Sequence, residues 1–245
     1  MYFERKEKPG LGYFMILALA VMVGCWNCGI ALSSNVDVAD VLKYKLDWKK
    51  SEWDRNNTII STSAVVGLSV GSMISKVFTE WGRRRTLLLS NLCIAAITIP
   101  YLFFLNYWYI VIAKFFQGVF GAFIVNASSL YMNEVTPSEY QSKVGVSLNL
   151  GIVFGIFMCQ ILGLALPDST DKQANKDDEI WKLTYCLPLV SVTITTFLWL
   201  FVFRTEPLVF LMAKAEKNDQ SASSAALKEA YKSIKLNHGA DDQEQ

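Results

Sequence analysis

Among the polar side chains inside the apolar stretches of this 245-residue chain, Asn27, Lys114, Gln117, Asn126, Asn149 and Gln160 are the most informative. A polar group turned toward lipid is costly, so each is expected to face a partner helix or a watery cavity. Lys114 is the only ionisable one well inside a stretch; Lys76 can reach an interface along its own stem. The second group is the run Glu80-Trp81-Gly82-Arg83-Arg84-Arg85, a glycine and three arginines between two long apolar runs. It reads as a hairpin held on one side of a bilayer.

Other residue types point away from bond-making chemistry. Cys25 and Cys28 form a C-x-x-C pair, but without a second pair and within an apolar stretch, where thiols act as small apolar side chains. His238 sits alone in a polar tail, so no histidine can bind a metal or relay protons in the membrane. No hydrolase-type nucleophile, phosphate-binding loop or dinucleotide fingerprint is present, and neither an enzyme activity nor a cofactor is expected. A net charge of +1 gives no basic excess for nucleic acid.

These residues need elements to hold them, and composition says which. The chain is 52% hydrophobic and only 18% charged, where about a quarter charged is usual for a soluble domain. The charges gather in short islands between nearly uncharged stretches of about 20 residues, the length that crosses ~30 Å of hydrocarbon. The spans are expected at about 11–32, 59–78, 86–105, 107–132, 144–166 and 183–203. So much apolar length leaves too little polar surface for a soluble core, and the lipid bilayer is the expected surrounding. The fold class is an all-α membrane protein: residues 1–10 outside the membrane, a six-helix transmembrane bundle over 11–203, and a tail over 204–245.

Residues 11–32 exceed the usual apolar core of a signal peptide and read as a retained first helix. An even span count puts both termini on one side. More lysine and arginine fall there than on the opposite loops, so the positive-inside rule makes that side cytosolic. The opposite side is expected to carry a first loop, 33–57, and an acidic loop, 167–179. Asn56-Asn57-Thr58 in the first loop is a glycosylation sequon against the membrane edge, and Asn126-Ala127-Ser128 lies inside a span. Gly67 with Gly71, Gly151 with Gly155, and Gly118 with Gly121 mark stripes where helix backbones can touch.

Two segments carry a resemblance. Lys114-Phe115 with Gly118, then Tyr131, Glu134 and Pro137, then Gly151 and Gly155, follow a family pattern without gaps. That pattern is R-F-x-x-G, Y-x-x-E-x-(S/A)-P, R-G, then a glutamine in the fifth helix. Glu80 to Arg85 is similar to the hairpin D-R-x-G-R-R. Together they resemble the sugar-porter family of the major facilitator superfamily, most of all the N-terminal half of facilitative glucose transporters.

The resemblance implies a gating charge network made of Arg83, Arg84, Lys114, Glu134 and Glu206. It departs from the family where Thr79-Glu80 replace Asp-Arg, Lys114 replaces an arginine, Gln141-Ser142 replace Arg-Gly, and Val209 stands at the last arginine. A lysine cannot make a bidentate fork. The resemblance further implies substrate contacts at Asn149, Ile152, Ile156 and Asn27. The family carries Asp at the position of Asn27 when transport is proton-coupled and Asn when it is not. Facilitated diffusion of hexose-type sugars is therefore expected.

The likeness runs from residue 11 to about 235 and covers the first six of the family's twelve helices. Leu227, Ala230, Tyr231 and Ile234 form a helical apolar stripe resembling the family's cytosolic helix. A second six-helix half, from another chain or another copy, is then the expected partner. The alternative is a non-transporting membrane scaffold that keeps the fold. The plasma membrane is the default setting.

Overall fold

The computed structural model describes residues 11–103, 105–167, 172–203, 206, 207 and 210. The elements there are helical: α1 (Leu11–Lys45), α2 (Lys50–Thr79), α3 (Arg83–Thr98), α4 (Tyr107–Val135), α5 (Ser138–Gly163), α6 (Lys172–Asp177) and α7 (Ile180–Phe197). A 3-10 turn, Ile99–Leu102, extends α3, and a π turn, Leu198–Val202, extends α7. The helix expected around Leu227 to Ile234 lies outside the described residues.

Among the described residues, five helical segments are long and apolar enough to cross a membrane: Gly12–Val36, Ser51–Thr79, Tyr107–Val135, Tyr140–Gly163 and Ile180–Val202. Their packing is the reverse of a soluble protein's. Met73, Leu92, Phe103, Val153, Phe157 and Leu164 stand exposed, while Asn27, Asn35, Asn91, Thr98, Lys114 and Gln117 are buried. Water would penalise both features; hydrocarbon outside and hydrogen bonds inside satisfy both. This is an integral membrane protein.

α1 and α4 form the centre, the most apolar parts of both largely buried, whereas those of α2 and α5 are mostly not. Glycines set the closest contacts. A Cβ at Gly151 or Gly155 would overlap the carbonyls of Met22 and Trp26 on α1, and one at Gly29 would overlap that of Ile152. On the other side, Gly67 lies against the Phe115 carbonyl, Gly118 against that of Ala64, and Gly71 against Val119. Residue numbers rise together along both contacts, so α1–α5 and α2–α4 are parallel pairs in backbone contact. Such contacts gain dispersion energy that lipid cannot replace.

α7 closes the bundle against α1 and α3. Asn27 Nδ2 donates to Ser191 Oγ at 3.1 Å, and Asn91 Nδ2 donates to Thr195 and Thr196 Oγ1 at 3.0 and 3.2 Å. Gln117 ties α4 to Thr98 at 3.3 Å, and Asn126 ties α4 to Ser75 at 2.8 Å.

The first connection differs from expectation. Residues 33–57 are not a loop: α1 runs on to Lys45 and α2 begins at Lys50. Val38, Val41 and Leu42 continue the buried stripe of α1 and pack with Ile60, Tyr101, Ile110 and Trp181. Asn35, which the sequence put in that loop, donates to Asn57 Oδ1 at 2.8 Å and Ser61 Oγ at 2.7 Å. Asn56 is inside α2 and 8% exposed. The connection at 167–179 likewise contains α6, held to the end of α1 by Lys45 Nζ on the Lys176 carbonyl at 2.8 Å.

Candidate substrate face and charge cluster

Asn149, Ile152 and Ile156 fall three and four residues apart on α5 and share one face. Asn149 is exposed, and its amide makes no hydrogen bond among the described residues. The two isoleucines are half-buried, their backbone pressed against Gly29 of α1. An unpaired amide has two donors and an acceptor to offer a hydroxylated molecule. Asn27 differs. It is 3% exposed and points into the bundle, Nδ2 bonded to Ser191 Oγ and to the Gly24 carbonyl at 3.2 Å. The structure thus separates the two amides that the sequence placed together.

At the α2–α3 turn, Gly82 has φ 151°, and a Cβ there would meet Glu206 Oε1 at 2.6 Å. Two arginines that follow are engaged in different ways. Arg83 Nη2 and Nε both donate to Glu134 Oε1, at 2.8 and 3.2 Å, and Nη1 donates to the Thr79 carbonyl at 2.7 Å. Its guanidinium also lies 4.3 Å from the centre of the Phe210 ring.

Arg84 Nε donates to the carbonyls of Trp199 and Phe203 at 2.9 and 2.8 Å, at the negative end of the α7 helix and its π turn. Glu206 in turn accepts the backbone N–H groups of Arg84 at 3.0 Å and Arg85 at 3.2 Å. It supplies the negative charge that the α3 N-terminus favours. Each segment caps the other.

Lys114 is not part of this cluster. It lies some 20 residues before Glu134 on α4, about 30 Å along the helix. There it is 1% exposed, its Nζ donating to Ser34 Oγ and lying 4.8 Å from the centre of the Tyr185 ring. Tyr185 is fixed by its hydroxyl on Asn35 Oδ1 at 3.2 Å.

A family model described as "Sugar (and other) transporter" matches residues 15–243. The chain belongs to this sugar transporter family. Among curated relatives, Hexose transporter 1 of Plasmodium falciparum (isolate 3D7) is 28% identical over 245 residues, covering 93% of this chain and 48% of that protein. The facilitated glucose transporter member 1 of Gallus gallus is 25% identical over 180 residues, covering 72% of this chain and 34% of that one. The chain spans about half the length, or less, of these relatives, and its likeness is to their N-terminal half.

Among solved structures, the major facilitator superfamily proton:xylose symporter XylE superposes with a TM-score of 0.73 at 16% identity, covering 93% of this chain and 54% of that one. A partially occluded, inward-open form of XylE from E. coli gives 0.70. This likeness is one of fold.

Within this family member, sequence reasoning overlooked the Asn91–Thr195–Thr196 tie and the Asn35 hub with Tyr185 and Asn57. Asn91 was masked by its apolar neighbours. The signal for Asn35 was the helical spacing of Val38, Val41 and Leu42 beyond it, which carries α1 past the polar Ser33-Ser34-Asn35.

Proposed function

We propose that the chain is the N-terminal half of a carrier that moves hexose-type sugars by facilitated diffusion, its substrate crevice closed by a second six-helix half. The observation that carries this reading is Asn149: an amide left unbonded on an exposed face, beside Ile152 and Ile156. A scaffold would gain nothing from an unsatisfied amide there. In carriers of this superfamily the substrate sits near the midplane between two repeats that rock against each other, which is where such a face would be useful.

α3 supplies the sixth crossing in this reading. Its 16 residues and the four of the 3-10 turn reach about 32 Å, enough for ~30 Å of hydrocarbon. The arginine-bearing turn lies on the cytosolic side with both termini, in the plasma membrane by default. Arg83–Glu134 and Arg84–Glu206 then form a latch on that side, intact in one access state and released in the other, which is how such contacts bias a two-state equilibrium. Lys114 has no part in the latch and binds α4 to α1. Asn27 carries no titratable proton, which supports uniport over proton symport.

Uptake of labelled hexose into liposomes tests the proposal, with the chain alone and together with a C-terminal half from a relative. Flux that needs the second half and leaves the lumenal pH unchanged is the expected result. Hexose-dependent alkalinisation would overturn the uniport reading. Stable assembly of both halves without flux would overturn the carrier reading.

A further inference from the structure

We propose that a pocket beside the α2–α3 turn binds the headgroup of an anionic phospholipid, with an acyl chain laid along α3. The pocket holds about 310 Å³ and is lined by Phe78, Trp81, Arg85, Thr86 and Leu89. Of the three arginines in the turn, Arg83 and Arg84 are committed to Glu134 and to the α7 carbonyls. Arg85 is exposed and makes no ion pair among the described residues; only its backbone N–H is used, by Glu206. The nearby acids are engaged, Glu134 by Arg83 and Glu206 by two N–H groups. Lys76 and Glu80 are both exposed, four residues apart, and their opposite charges sum to zero.

The remaining walls suit a lipid. Thr86 Oγ1 is spent on the carbonyls of Phe78 and Gly82, at 2.7 and 2.8 Å, so it closes the floor and recruits nothing. The Trp81 indole is 60% exposed, and its ring centre lies 5.4 Å from that of Phe78. Tryptophans of this kind settle at the headgroup level of a bilayer.

From the pocket an apolar track leads away from the turn. Leu89 is 42% and Leu92 67% exposed, and their spacing puts both on one face of α3, with Ala96 next. α2 and α3 each pack on α4 but hardly touch one another, so the groove between them opens sideways. A free phosphate would use only Arg85. A phospholipid uses the guanidinium, the indole and the track together, and a guanidinium favours a phosphate with charge-assisted hydrogen bonds.

This inference needs the membrane setting but not sugar transport. Its test is native mass spectrometry of the full chain in neutral detergent. Phosphatidylglycerol and phosphatidylcholine with the same acyl chains are titrated in turn, with inorganic phosphate as the headgroup alone. Phosphatidylglycerol is expected to bind about fivefold tighter, the worth of one basic residue near an anionic surface. Arg85→Ala and Arg85→Gln are expected to abolish the preference and Arg85→Lys to keep most of it. Lys182→Ala, at the other end of the bundle, is expected to leave it alone. Equal affinity for both lipids, a preference that survives both Arg85→Ala and Arg85→Gln, an equal loss with Lys182→Ala, or displacement by phosphate at lipid concentrations would each overturn the proposal.

Discussion

The Glu206 carboxylate accepts the backbone N–H of Arg84 at 3.0 Å, while the guanidinium of that same arginine turns away to two carbonyls at the end of α7. The two residues are thus joined through helix ends and not as an ion pair. Two opposite partial charges, at the start of α3 and the finish of α7, are neutralised by one exchange. Glu206→Ala removes an acceptor for two N–H groups and is expected to cost about 1 kcal/mol of stability, as the loss of a capping side chain does. Glu206→Gln, which keeps one oxygen, is expected to cost less. Thermal unfolding of the purified chain in detergent ranks the three.

The glycine seams give a sharper contrast. A methyl at Gly151 would run into the Met22 carbonyl, whereas one at Gly145 would meet only the Met132 methyl at 3.8 Å. Backbone cannot yield as a flexible side chain does. Gly151→Ala is expected to lower the melting temperature markedly. Gly145→Ala is expected to leave it unchanged or raise it, since alanine favours a helix over glycine by about 1 kcal/mol. Equal melting temperatures for the two variants would remove the case for backbone contact between α1 and α5.

Asn149 and Asn27 are expected to fail differently. If the proposed carrier reading holds, Asn149→Ala, assembled with a second half, should leave stability intact and raise the KM for sugar about fivefold, the worth of one hydrogen bond near 1 kcal/mol. Asn27→Ala breaks the buried bond to Ser191 and should destabilise by about 1 kcal/mol, the scale of interhelical hydrogen bonds in membranes. Flux and unfolding measured on both variants separate a substrate contact from a helix tie.

Asn56 is expected to stay unmodified in a glycosylating host. It is 8% exposed and within α2, whereas a sequon is used from an accessible surface loop. Treatment with an N-glycosidase should leave the electrophoretic mobility unchanged; a downward shift lost in Asn56→Gln would show the helix open there.

What the sequence made legible follows the strength of each physical signal. Uncharged runs near 20 residues report hydrocarbon directly, and Ala64, Val119 and Gly155 each lie in a helix long and apolar enough to cross a membrane. The start of α2 and the far end of α1 did not show, because Ser33, Ser34 and Asn35 look like a loop until their partners are known. Those partners are Gln160 for Ser33, Lys114 for Ser34, and Asn57, Ser61 and Tyr185 for Asn35. In an inside-out core a polar run marks the interior as readily as a helix end. Lys114 was grouped with the hairpin by motif, but distance along α4 forbids it. Asn27 sits in the expected stretch, yet its direction is a matter of helix rotation. Arg83 and Glu134 were grouped by the family pattern, and they lie 2.8 Å apart across the turn and the end of α4.

The two glycine seams also decide where this molecule can deform. Both seams join backbone contact to ring packing, Trp26 on Phe154 at 4.8 Å across α1–α5 and Phe78 on Phe123 at 4.7 Å across α2–α4, so each pair behaves as a plank. Bending or twisting of the bundle is then expected along α3 and α7, which are tied to their neighbours by bonds such as Asn27–Ser191, Asn91–Thr195 and Gln117–Thr98. Those bonds can be exchanged for others at little cost, which makes the periphery of the bundle its compliant part.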